Sequence, residues 1–170
     1  MMRKADILYY IAMILGGTME IIRADKNTDS EVFAALSDLD KMCVGNDGWS
    51  AESFKSEAEK DNGIVLYAVE NGEISGLICG FHAADEAEIT SVAVSPKHRR
   101  KGIAGQLMNA YLMALPEITN SIFLEVRESN SPAIGLYEKF GFEKISIRKN
   151  FYCFPDENAV VMQKILNKEG

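Results

Sequence analysis

Apolar and polar residues repeat with two different periods along this chain, and the switches between them mark its elements. Residues 19 to 24 (MEIIRA) read as a first, edge strand. In NTDSEVFAALSDLDKM, Val32, Phe33, Leu36, Leu39 and Met42 recur at helical spacing, and Thr28 and Glu31 have the spacing of a capping box, so an amphipathic helix follows. The stretch VGNDGW ends it, and Ser50 is placed to cap a second, short helix carrying Phe54 and Ala58. GIVLYAVENGEISGLICGF holds two apolar runs joined by Asn71-Gly72, a dipeptide that supplies the two positive φ angles of a type I′ turn, which predicts a hairpin. EITSVAV predicts a fourth strand, ending at Ser95-Pro96.

Beyond that point strand and helix alternate. Ile103, Leu107, Met108, Tyr111 and Leu115 lie at helical spacing, with Pro116 placed to stop the helix. SIFLEVR predicts a fifth strand. Pro132 then occupies a first-turn position, Ala133, Leu136, Tyr137 and Phe140 form the apolar stripe of another helix, and Gly141 follows as its C-terminal cap. Two last strands, FEKISIR and NAVVMQKI, close the chain. The expected fold class is α/β (α+β): a mixed, mostly antiparallel seven-stranded sheet with helices on both faces.

At 170 residues, 47% hydrophobic and 25% charged, the chain has the size and composition of one globular domain, expected to span residues 19–170. Residues 1–18 carry an apolar run from Ile7 to Leu15, too short for a bilayer; Asp6 precedes it and no small-x-small cleavage site follows. The expectation is an appended helix packed on the domain or on a neighbour, with Met19 as an alternative start. A formal net charge of -7 weighs against broad binding to nucleic acid or anionic membrane. Cys43, Cys79 and Cys153 stand far apart, with no C-x-x-C pair and no neighbouring His, which argues against a disulfide framework or a zinc site and for a reducing, cytoplasmic setting.

Against this acidic background Lys97, His98, Arg99, Arg100 and Lys101 are consecutive, between a predicted strand and a helix expected to begin near Gly102. The first N–H groups of such a helix have no intrahelical partner, and Gly102 and Gly105 let a ligand's phosphates approach without a Cβ in the way. No Gly-Lys-Ser/Thr follows and no G-x-G-x-x-G is present, so neither a Walker loop nor a dinucleotide fingerprint is implied.

Arg99-Arg100-Lys101-Gly102-Ile103-Ala104 resembles the R/Q-x-x-G-x-G/A loop of the GNAT acyl-CoA N-acyltransferases, and LEVRESNSPAIGLYEKFGF, residues 124–142, resembles their second signature. The resemblance implies the GNAT fold, with its two central strands splayed apart, and acetyl-CoA as co-substrate, with no metal. It places the pyrophosphate on residues Arg99 to Gly105 and the pantetheine arm on the strand Val92, Ala93 and Val94, with Asn130 on the arm's far side. Within the family the region from Leu124 onward is similar to the bacterial ribosomal-protein-alanine N-acetyltransferases. That likeness implies Glu125 as general base, Tyr137 as general acid, and Trp49 and Tyr152 as walls of the acceptor site. The partners so implied are coenzyme A and an acceptor peptide N-terminus, that of a ribosomal protein.

The chemistry suits these types. A peptide α-amine has a pKa of about 7.7 to 8.0, so a base must take a proton before attack, and a phenol can protonate the departing thiolate. A backbone N–H, that of Val92, would polarise the thioester carbonyl. Other readings of the residues stand beside these: Glu125 could pair with Arg127, Tyr137 could be plain core, and Trp49 and Tyr152 could serve packing alone. Phe151-Tyr152 stands where the ribosomal branch usually has two tyrosines. The acceptor therefore stays open between a peptide N-terminus and a small amine such as a polyamine, aminoglycoside or amino acid. A module that binds acetyl-CoA without catalysis is the third reading.

Overall fold

The computed structural model describes residues 19–166, so the helix expected over residues 1–18 lies outside what is described. Seven strands form one sheet: β1 (Met19–Arg23), β2 (Gly63–Glu70), β3 (Glu73–Ala83), β4 (Glu86–Val94), β5 (Ser121–Arg127), β6 (Glu143–Cys153) and β7 (Asp156–Ile165). Their spatial order is β1-β2-β3-β4-β5-β7-β6, and every neighbouring pair is antiparallel except β4–β5. The helices are α1 (Ser30–Val44), α2 (Ala51–Glu59), α3 (Ile103–Ala114) and α4 (Ser131–Lys139). Short 3-10 turns at Gly45–Asp47 and Pro96–His98 complete the path.

Alternation along β2 divides the interior. Ile64, Leu66 and Ala68 join Leu107, Tyr111 and Ile134 of α3 and α4 in the larger core. Val65 and Tyr67 join Phe33, Leu36 and Phe54 of α1 and α2 in the smaller one. Helices thus cover both faces, as expected, and β2 reads as an unbroken apolar run because neither of its faces meets water. The β2–β3 turn has φ of 53° at Asn71 and 81° at Gly72, the left-handed pair that the dipeptide predicts.

Three local expectations need correction. The N-cap of α1 is Asp29, with no side-chain cap bond, because the Thr28 hydroxyl instead accepts from the Asp25 N–H at 2.9 Å and closes the turn before the helix. Met42, expected on the apolar stripe, is 65% exposed, lining an open groove with Val32, Leu39 and Ile74 while its neighbour Cys43 is the residue of that turn that reaches β4. Strands β6 and β7 both extend beyond FEKISIR and NAVVMQKI. The ladder slips between Arg148 and Tyr152, where Asn150 takes φ of 51°, and resumes at Tyr152↔Glu157, an interruption that hides the strand's continuation in its alternation.

The parallel β4–β5 ladder is short, running from Glu86↔Ser121 to Ile89↔Leu124. At Thr90 a bulge shifts the β3 register, from Gly80↔Ile89 to Cys79↔Ser91. Beyond it β4 continues along β3, while β5 continues along β7, and the two strands part. A Cβ on Gly80 would lie 2.1 Å from the Glu88 carbonyl oxygen and 2.4 Å from the Tyr111 hydroxyl, which itself donates to that carbonyl at 2.8 Å. Gly80 and Tyr111 together therefore permit and brace the bulge from which the splay begins.

Candidate active site

The gap between the diverging strands has a main-chain wall on one side. The Ser95 N–H bonds to the Ser75 carbonyl at 2.9 Å, so alternation turns the main-chain groups of Ala93 toward β3 and those of Val92 and Val94 toward the gap. Of the three residues expected to hold the pantetheine arm, Ala93 thus faces away, its side chain buried in the smaller core. The Val94 carbonyl accepts from Arg99 Nε at 3.3 Å and from the Cys43 thiol at 3.5 Å.

The basic run follows directly, and most of it is tied down. Lys97 pairs with Glu73 at 3.1 Å; Lys101 and His98 reach Glu70 at 3.2 and 3.4 Å, so these three side chains fasten the loop to the β2–β3 hairpin. Arg99 folds back onto β4, which leaves Arg100, exposed and at φ of 62°, with no ion pair among the described residues. Gly102 caps α3 with φ of 80°, and an added Cβ there would meet nothing within 4 Å. The backbone angle, rather than lack of space, is what requires glycine at that point. The Gln106 N–H donates to the Gly102 carbonyl, so the N–H groups of Ile103, Ala104 and Gly105 precede the first intrahelical bond at this end of the helix, donors of the kind that suit an anion. A splayed strand edge leading to such an end fits a ligand with an amide-bearing arm and a diphosphate.

Across the gap, alternation sends Leu124 and Val126 into the larger core and leaves Glu125 and Arg127 on the opposite face, the one α1 and α2 cover over β2, β3 and β4. Glu125 forms an ion pair with Arg148 of β6, not with Arg127. Arg127 has its own set of partners: Asp47 in the 3-10 turn after α1, Glu157 at 3.1 Å, and the carbonyls of Pro155 at 3.1 Å and Phe154 at 3.3 Å. Its guanidinium stacks over Tyr152, 4.1 Å from the ring centroid.

Tyr137 is buried beside Phe142, ring centroids 5.9 Å apart, and burial first, then the nearby Tyr152, pushes its phenol above the ordinary value. Tyr152 is shifted the same way by burial and by the charge of Glu125. Tyr152 lies against Arg127 on the face that carries Glu125, whereas Tyr137 belongs to the larger core with Leu124 and Val126. Asn130 is the N-cap of α4, its Oδ1 accepting from Ala133 N at 3.2 Å. Trp49 packs its ring on Phe54 at 5.5 Å, at the base of the turn that carries Asp47.

Three residues here are absent from the sequence-based set. Glu88, on β4, has its carboxyl pushed up by desolvation and by the charge of Glu125, with Arg148 acting in the opposite direction. Asp40 is buried and accepts from Ser91 Oγ at 2.5 Å and from Trp49 N at 2.7 Å, joining α1 to β4 and to the turn. Arg127 is the third. Only for Asp40 did the sequence hold a signal, a lone carboxylate on the inward side of an amphipathic helix. Among the described residues no cluster of His, Cys, Asp and Glu is arranged to hold a metal ion, and no helix is long and apolar enough to cross a membrane.

Residues 32–142 match the profile described as the acetyltransferase (GNAT) family. A ribosomal protein bS18-alanine N-acetyltransferase of Haemophilus influenzae is 36% identical over 118 residues, which is 67% of this chain and 80% of that protein. An N-alpha-acetyltransferase of Saccharolobus solfataricus is 32% identical over 168 residues, covering 87% of this chain and 100% of the relative. Among solved structures, the ribosomal-protein-S18-alanine N-acetyltransferase of Escherichia coli superposes with a TM-score of 0.75 at 25% identity, covering 89% of this chain and 96% of the other.

Proposed function

Because this chain belongs to the GNAT acetyltransferase family and so uses acetyl-CoA for N-acetyl transfer, we propose that its acceptor is a peptide α-amine, the N-terminal alanine of a ribosomal protein. The observation that carries the reading is the position of Glu125. It lies just past the last β4–β5 pair, Ile89↔Leu124, where the strands part, on the face beneath Asp47 and Tyr152. The names of two relatives, a bacterial ribosomal protein bS18-alanine N-acetyltransferase and an archaeal N-alpha-acetyltransferase, support it further.

Acetyl-CoA lies along the gap, its diphosphate on Arg99, Arg100, Lys101, Gly102 and the N–H groups of Ile103, Ala104 and Gly105, its arm along Val92 and Val94. Asn130 flanks the arm from the start of α4. Glu125 takes a proton from the incoming ammonium, directly or through one water, and the freed nitrogen lone pair forms a bond to the thioester carbonyl carbon. The carbonyl electrons move to oxygen, facing the N–H of Val92, and return as the C–S bond breaks. The sulfur leaves with the proton of Tyr137. The nitrogen, cationic after attack, gives up its second proton through water, from which the Tyr137 phenolate is restored while Glu125 returns its own proton to solvent. Burial keeps that phenol protonated across the physiological range, the state in which it can donate. Arg148 must share Glu125 with the arriving ammonium, so the ion pair seen here is the resting arrangement.

Thiol release from acetyl-CoA, followed with short peptides differing in the first residue and with polyamines and aminoglycosides alongside, tests the reading. Preference for an Ala-first peptide is expected. Turnover confined to the small amines would overturn it in favour of a small-molecule acetyltransferase; coenzyme binding without turnover of any acceptor would favour a non-catalytic module.

A further inference from the structure

We propose that Arg127 is a positioning residue that fixes the size of first residue the acceptor can carry, by locking together the two lips of the acceptor mouth. The inference rests on the peptide-acceptor reading above. One lip is the turn at Gly45–Asp47, and the other is the end of the β6–β7 hairpin, with Tyr152, Phe154, Pro155 and Glu157. Arg127 holds both at once. One Nη donates to Asp47 and to the Phe154 carbonyl, the other to Glu157 and the Pro155 carbonyl, and the guanidinium plane covers Tyr152. Its side chain is 17% exposed, so these bonds are shielded in a way that those of a loose surface ion pair are not.

Lip separation is therefore set by the dimensions of one rigid fork rather than by loop flexibility. Arg127 lies two residues beyond Glu125 on the same face of β5, a spacing of about 7 Å along the strand. An amine that delivers its proton to Glu125 must place its own side chain within that span, below the clamp. On this proposal the short side chain of alanine is accepted below the clamp, while a leucine has to part Asp47 from Arg127. Hydrophobic pockets alone discriminate weakly between side chains, by about 10- to 200-fold, so a clamp of this type is also a means of adding steric rejection.

The test compares kcat/KM for an Ala-first and a Leu-first peptide of otherwise identical sequence, with saturating acetyl-CoA, in wild type, Asp47→Asn and Arg127→Lys. Asp47 sits on a surface turn, so its neutral isostere loosens the lip with little effect on folding, which the thermal midpoint checks. The Ala/Leu ratio is expected to fall about tenfold in both variants through a gain on the Leu-first peptide. A merely structural role would lower both peptides alike. A ratio unchanged in Asp47→Asn, with peptides still acetylated, overturns the clamp while leaving the peptide reading intact. Failure of the wild type on every peptide overturns that reading and the clamp with it.

Discussion

At position 125 one carboxylate is asked to remove the proton that blocks attack, and at position 137 one phenol to supply the proton that the thiolate needs. Glu125→Gln and Tyr137→Phe are each expected to lower kcat by about 10²- to 10⁴-fold, read by thiol release, while calorimetry finds acetyl-CoA affinity little changed. Equal turnover in both variants and wild type would remove these two residues from the mechanism. The three thiols separate by environment. Cys79 is buried, with desolvation pushing its thiol up to about 12, whereas Cys153 is exposed. With its thiol buried and held protonated, Cys79 should escape iodoacetamide on the native protein and react only after denaturation, whereas exposed Cys153 is labelled at once, as peptide mass mapping would report.

The decisive element is the bulge of β4. It exists because Gly80 leaves room for the Glu88 carbonyl and for the Tyr111 hydroxyl, and nothing larger than hydrogen fits between them. Gly80→Ala must displace backbone, so a loss of about 2 to 3 kcal/mol in urea unfolding is expected, together with weaker acetyl-CoA binding, because the bulge starts the gap. Tyr111→Phe removes only the hydroxyl and should cost about 1 kcal/mol. If Gly80→Ala binds the coenzyme as wild type does, the bulge is not what opens the strands. In the loop that follows, Gly102 is required by its φ of 80° and not by crowding. Gly102→Ala is accordingly expected to cost about 1 to 2 kcal/mol by the same measurement.

Across the whole molecule, stability should fall at high pH. Cys79, Tyr111 and Tyr137 all hold their protons more tightly folded than unfolded, chiefly through burial. A raised acid contributes stability that is complete below its unfolded value, 9.0 for the thiol and 10.0 for the phenols, and is lost as pH climbs toward the folded value. The urea midpoint at pH 10.5 should lie clearly below that at pH 8, and a flat profile would contradict the burial of these groups. The net charge of -7 is another whole-chain property, and against it the loop from Lys97 to Lys101 is a local concentration of basic side chains. Three of the five basic side chains in that loop are paired with Glu70 or Glu73 in the resting arrangement, an allocation that composition does not reveal.

The order of strands and helices, the Asn71-Gly72 turn, the cap at Ser50 and the start of α3 at Gly102 were all determined by the sequence itself, since each depends on residues within a few positions of one another. So was the likeness to the acetyltransferase family, carried by two short motifs. The tertiary structure alone decided that Glu125 pairs with Arg148 and that Arg127 joins Asp47 to Glu157 across the mouth. Arg127 and Asp47 are 80 positions apart, and Glu125 and Arg148 are 23. Side chains choose among rival partners by distance and burial after the sheet has closed, and no local period along a chain encodes that choice.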